Sequence, residues 1–143
     1  MIYKATIDGE ESNRFHEKCD GISPILLLIQ TKDNYRFGGF TLNSFESLQE
    51  AYKKDDSAFI FSLDKLITYD IFKGKNAIFC DVKKGPCFCY DINIVDQCFK
   101  HDNTVGKRQT NYNTSIDYEI NFGNQKFRIE DYEVFQIVFN DEI

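Results

Sequence analysis

The chain has 143 residues, 42% of them hydrophobic and 28% charged, with a formal net charge of −6. These are the proportions of an ordinary soluble globule long enough to bury a core as one domain over residues 1–143. The acidic balance argues against non-specific nucleic-acid binding, which needs many Lys and Arg to displace counterions from phosphates. No apolar run approaches the roughly 20 residues of a membrane span and no signal peptide follows Met1, so the expected location is the cytoplasm.

Residues 2–7 alternate well enough for a strand ended by an Asp8-Gly9 turn. Ser12 is a plausible helix N-cap, with Phe15, His16 and Cys19 on one face and Gly21 as the stop. Residues 25–31 form a continuous apolar run of strand length, and 35–41 follow a short polar turn, which predicts a hairpin. Phe45, Leu48 and Tyr52 fit a short helix or helical loop over 45–54. Residues 58–63 are apolar on both faces apart from Ser62, as in a strand covered on both sides. Residues 66–72 and 76–80, split by Lys73-Gly74-Lys75, read as a second hairpin, and 87–95 as one or two strands after the Gly85-Pro86 turn. Residues 101–115 are polar and read as a long surface loop. Strands over 118–122, 127–129 and 134–139 complete the chain. Residues 25–29, 58–63 and 134–139 are expected to be central and buried. Phe61, if fully buried, would cost about 3–5 kcal/mol on replacement by alanine.

The chemistry-bearing residues form no familiar constellation. Five cysteines without a secretion signal point to reduced thiols. Among Cys80, Cys87, Cys89 and Cys98, with His101 nearby, the Cys-x-Cys pair lies on an expected strand and no two cysteines have the two-residue gap that zinc sites prefer. Cys87 and Cys89 are the candidates for a redox-active thiol, which would need an exposed, electropositive setting. His16 stands near Ser12 and Glu17 but without the elbow of a hydrolase, so packing is its default role. Gly38-Gly39 continues into no phosphate-loop pattern and reads as a bulge or a close backbone approach. Glu133 interrupts an apolar strand and reads as an outward-facing residue, or an anchor for a loop or partner. No cofactor and no metal is expected.

Seven pieces in order carry a resemblance: Asp8-Gly9, the Phe15–Gly21 helix, Pro24 with its apolar run, Phe37-Gly38-Gly39-Phe40, Ala58-Phe59-Ile60-Phe61-Ser62-Leu63, Asn76-Ala77-Ile78-Phe79-Cys80 followed by Gly85-Pro86-Cys87-Phe88 with Asp91-Ile92, and Glu133-Val134-Phe135. In this order they are similar to the TLDc domain of the oxidation-resistance proteins. Two departures mark the chain: it starts at the first strand with no Trp-containing lead-in, and Cys89-Tyr90 stand where the family usually has glycines. The resemblance implies a mainly β fold with short helices, two packed antiparallel sheets forming a sandwich. It also implies a non-enzymatic protein-interaction role in oxidative-stress protection and in binding or regulating the V-ATPase, in a domain that protists often fuse to other modules. Asp8, Gly9, His16, Gly85 and Glu133 are the partner-binding candidates. The alternative is a protein whose thiols react with oxidants directly.

Overall fold

The structure, a computed structural model, describes residues 1–139. In chain order its elements are β1 (Tyr3–Lys4), α1 (Ala5–Asp8), α2 (Ser12–Cys19), β2 (Ile25–Thr31), β3 (Arg36–Thr41), β4 (Ala51–Lys54), β5 (Phe59–Ser62), β6 (Ile67–Asp70), β7 (Asn76–Cys80), β8 (Lys84–Phe88), β9 (Ile92–Val95), β10 (Asn103–Val105), a 3₁₀ turn (Glu119–Asn121), β11 (Lys126–Phe127) and β12 (Ile129–Gln136). The first sheet has the order β1-β12-β2-β3-β5-β6 and the second β11-β10-β9-β8-β7-β4, with antiparallel neighbours throughout. The two sheets pack as a β-sandwich, as the apolar runs and the resemblance imply.

Alternation along β2 explains the packing. Ile25, Leu27 and Ile29 are fully buried, while Leu26 and Leu28 face the opposite side and are half-buried. Phe37 of β3 meets Phe127 edge-to-face at 5.1 Å, which joins the two sheets. Phe88 of β8 fills the space above Gly39, with Phe45 at 6.2 Å and Tyr112 at 6.4 Å. Helix α2 adds Phe15, which bridges Tyr3 and Phe45 at 6.1 and 5.5 Å. Gly38 and Gly39 lie in unbroken register between β2 and β5, so they mark close approach and not a bulge.

Several expectations are corrected, and in each case a distant anchor overrides local periodicity. Residues 2–7 are strand only at Tyr3–Lys4; α1 follows because the Asp8 carboxylate accepts from the Lys4 backbone N–H at 2.8 Å, and Gly9, at φ 127, ends the turn. Ser12 is the first helical residue and not the N-cap, its hydroxyl donating to the Val82 carbonyl at 3.2 Å. Residues 45–54 contain no helix. Phe45 is drawn into the core and the chain then forms β4 against β7, leaving Leu48 exposed. The expected hairpin over 66–80 is absent, because β6 edges the first sheet and β7 belongs to the second. Within 101–115 the chain forms β10, held by the buried Asn103 amide, which accepts from the Val95 N–H and donates to the Cys98 carbonyl. Residues 118–122 form a 3₁₀ turn in place of a strand. Buried Glu119 accepts there from the Ser115 and Ile116 N–H groups and from the Tyr69 hydroxyl. Strand β12 stops at Gln136, with Val138 and Phe139 exposed, so only the first part of 134–139 is a buried strand. Phe61 is buried but points to the outer face, over Gly38.

Candidate functional site

Cross-strand register builds one row on the outer face of the second sheet: Thr104, Asn93, Cys87, Phe79 and Tyr52 stand opposite one another across β10, β9, β8, β7 and β4. Inward-facing Ile92, Ile94 and Phe88 fix the parity of that row. A groove of about 220 Å³ runs along it, lined by Glu50, Tyr52, Phe79, Lys84, Cys89, Tyr90 and Asn93. Its polar parts are tied together. The Asn93 amide donates to Thr104 at 3.4 Å, and its oxygen accepts from Lys84 Nζ at 3.3 Å and Cys87 Sγ at 3.2 Å. The hydroxyls of Tyr52 and Tyr90 meet at 3.0 Å, and that contact pushes the Tyr52 phenol up to about 12. Cys89 holds a left-handed conformation, φ 52, at the groove edge.

His16 supports the groove from below. It is 4% exposed, and its Nε2 reaches the Asp81 carbonyl at 2.8 Å and the Lys84 carbonyl at 2.9 Å. Carbonyls only accept, so Nε2 carries the proton they share. Nδ1 meets Asp20 Oδ1 at 2.7 Å, and Ser47 donates to the other Asp20 oxygen. Helix α2 is thereby pinned to the turn that delivers Lys84 and Gly85. The remaining candidates gather elsewhere, around Lys4. Its backbone N–H donates to Asp8, and its ammonium contacts Asp131 and Glu133. The Lys18 ammonium, 2.8 Å from Asp8, holds that carboxyl below the usual carboxylate range, and Tyr3 donates to the Gly9 carbonyl. His16 and Gly85 therefore share one site, and Asp8, Gly9 and Glu133 another.

The thiols sit in apolar surroundings. Burial pushes Cys87 and Cys89 up to about 12, and Cys19 and Cys98 equally, so at neutral pH these thiols keep their protons. Among the described residues no three His, Cys, Asp or Glu side chains converge to hold a metal ion. Sequence reasoning missed Tyr52, Lys84, Tyr90 and Asn93 as site residues. For Tyr52, Lys84 and Asn93 the only available signal was their outward parity on three short strands, visible once the register is known; Tyr90 lies in the turn between β8 and β9.

These contacts rank two substitutions. His16→Ala strands the Asp81 and Lys84 carbonyls and is expected to cost about 2 kcal/mol. Glu133→Ala removes one half-exposed carboxylate from a lysine that keeps Asp131, and should cost under about 1 kcal/mol. Urea unfolding of both variants tests the ranking, and a larger loss from Glu133→Ala would refute it.

Comparison with known proteins agrees with the sandwich and with the order of its pieces. The family model described as TLDc domain matches residues 1–138. MTOR-associated protein MEAK7 of Danio rerio is 22% identical over 128 residues, covering 90% of this chain and 26% of that protein. The chain thus spans about a quarter of the length of the curated relative it matches. With a match that covers nearly every described residue, the chain belongs to the TLDc domain family.

Proposed function

We propose that this chain is a non-enzymatic protein-interaction domain, cytoplasmic, that takes part in oxidative-stress protection by binding the V-ATPase. The observation that carries this reading is the family match over residues 1–138. The name of the Danio rerio relative marks that protein as associated with MTOR, which supports a protein-interaction reading. Burial of the thiols favours interaction over direct peroxide chemistry, since a thiol near 12 presents little thiolate at neutral pH. The saturated contacts of His16 likewise favour a structural histidine over a general base. No helix of the described residues is long and apolar enough to cross a membrane.

The test immobilises the intact chain and passes over it purified soluble V-ATPase sector. Retention at micromolar concentration is expected, and failure to retain it would remove the pump from the proposal. Thiol titration supplies the second arm. All five thiols should react slowly in the native protein and rapidly in denaturant, whereas one fast native thiol would transfer the function to redox chemistry.

A further inference from the structure

We propose that the groove on the outer face of the second sheet seats an acidic side chain from an extended segment of the protein partner, an inference that rests on the interaction reading above. Lys84 carries it. Lys4, Arg14, Lys18, Arg36, Lys53 and Arg128 each have a carboxylate within 4.0 Å; of the cations without one among the described residues, all but Lys65 and Lys84 are exposed, and Lys65 donates to the Glu119 carbonyl at 2.8 Å. The half-buried Lys84 has none among the described residues, and its ammonium rests on the neutral amide oxygen of Asn93 at 3.3 Å. A partly desolvated ammonium facing only an amide gains a stronger, charge-assisted hydrogen bond when a carboxylate arrives.

The surroundings select the guest. Of the two phenols 3.0 Å apart, one donates to the other, so the second proton is free for an incoming oxygen. The Tyr52 and Phe79 rings, with centroids 4.8 Å apart, form an apolar wall for a methylene stem. A volume of about 220 Å³ is below the roughly 300–1,000 Å³ of small-molecule pockets, and suits one side chain with its flanking backbone. One ammonium and two neutral phenols match a singly charged carboxylate, and the lining has no arginine to form the clusters that recognise phosphate. Glu50 gives the groove polarity, so the segment carries its acid toward Lys84 and no second acid toward Glu50. The net charge of −6 opposes an acidic partner mainly at long range, where salt screens it beyond about 8–10 Å.

The experiment follows the NMR signals of the Tyr52 and Tyr90 rings and the Asn93 amide in the intact chain. It is titrated at fixed ionic strength with a blocked pentapeptide carrying one central Asp, with its Asn counterpart, and with inorganic phosphate. The Asp peptide should give saturable shifts, and Lys84→Met should weaken it about tenfold while Lys84→Arg largely restores binding. Glu50→Gln should tighten it about twofold. Equal shifts from the Asn peptide, tighter binding of phosphate, or no change in Lys84→Met would each overturn the proposal. Should Lys84→Met prove poorly folded, the Asp–Asn comparison on the unaltered chain decides. Retention of the V-ATPase sector together with no peptide shift would sink the groove and leave the interaction reading intact. Peptide binding without retention of that sector would leave the groove standing and remove only the pump.

Discussion

Replacing Gly38 by alanine is expected to cost about 3–5 kcal/mol, a large part of the 5–15 kcal/mol that holds a domain of this size folded. Gly38 sits in the middle of β3, paired with Leu28 on one side and Phe61 on the other. A Cβ built there runs into the backbone carbonyl of Leu27 and comes within 2.9 Å of the Phe61 ring. Leu27 belongs to β2, which is held by β12 and β3 together, so its carbonyl cannot retreat without breaking two ladders. Gly39 offers the contrast. Its added Cβ would stand 2.7 Å from the Phe88 ring, a side chain that can tilt, and Gly39→Ala should cost about 1–3 kcal/mol. Urea denaturation of the two variants measures the difference. Equal losses, or a larger one at Gly39, would show that β2 yields more readily than its position between two strands implies.

These glycines illustrate what was legible in the sequence. Paired glycines inside a strand pattern signal close approach, because only the missing side chain admits another backbone or ring. The apolar runs that became β2, β5 and β7 were legible for a related reason: buried strands need continuous or alternating apolar residues between turn signals. Failures cluster where a few residues are captured by a distant partner. Phe45 at helical spacing from Leu48 suggested a helix, yet Phe15 and Phe88 take its ring and the backbone follows. Tyr118 and Phe122 looked like strand ends, yet both adopt left-handed conformations around Glu119, whose carboxylate gathers Tyr69, Ser115 and Ile116. The candidate site divides in the same way. The Gly85-Pro86 turn that marked Gly85 is corrected by the structure, since both residues lie inside β8 and the turn comes before Lys84. His16 could be singled out because helix signals surround it. Tyr52, Phe79, Lys84 and Asn93 could not, since strand register alone brings residues of four strands to one groove.

Between about pH 4 and pH 8 the protein should lose stability through Asp91, the second large effect. Asp91 is 2% exposed, and burial pushes its carboxyl up to about 7 against the lowering pull of hydrogen bonds from Thr110 and the Asn111 backbone. The Thr110 hydroxyl lies 3.1 Å from both carboxylate oxygens. In the unfolded chain an aspartate titrates near 3.9. Between those values the folded protein holds a proton that the unfolded chain has released, so raising the pH favours unfolding. Three units of separation correspond to at most about 4 kcal/mol, fully expressed above pH 7 and absent below about pH 4. Asp91→Asn removes the charge at nearly constant shape. At pH 8 it should therefore raise stability by a few kcal/mol, and at pH 4 it should change little. Other titrating groups are common to both proteins, so the quantity to read is the difference between their urea-unfolding free energies as a function of pH. A difference that stays flat from pH 4 to 8 would mean that the folded protein accommodates the Asp91 carboxylate without penalty. The segment most sensitive to that charge is the one Asp91 holds, since its backbone carbonyl accepts from the Gly106 N–H at 3.2 Å and its side chain takes Thr110. Amide exchange at Gly106 and Asn111 should accordingly quicken above pH 7, beyond the intrinsic pH dependence, in the unaltered protein and not in Asp91→Asn.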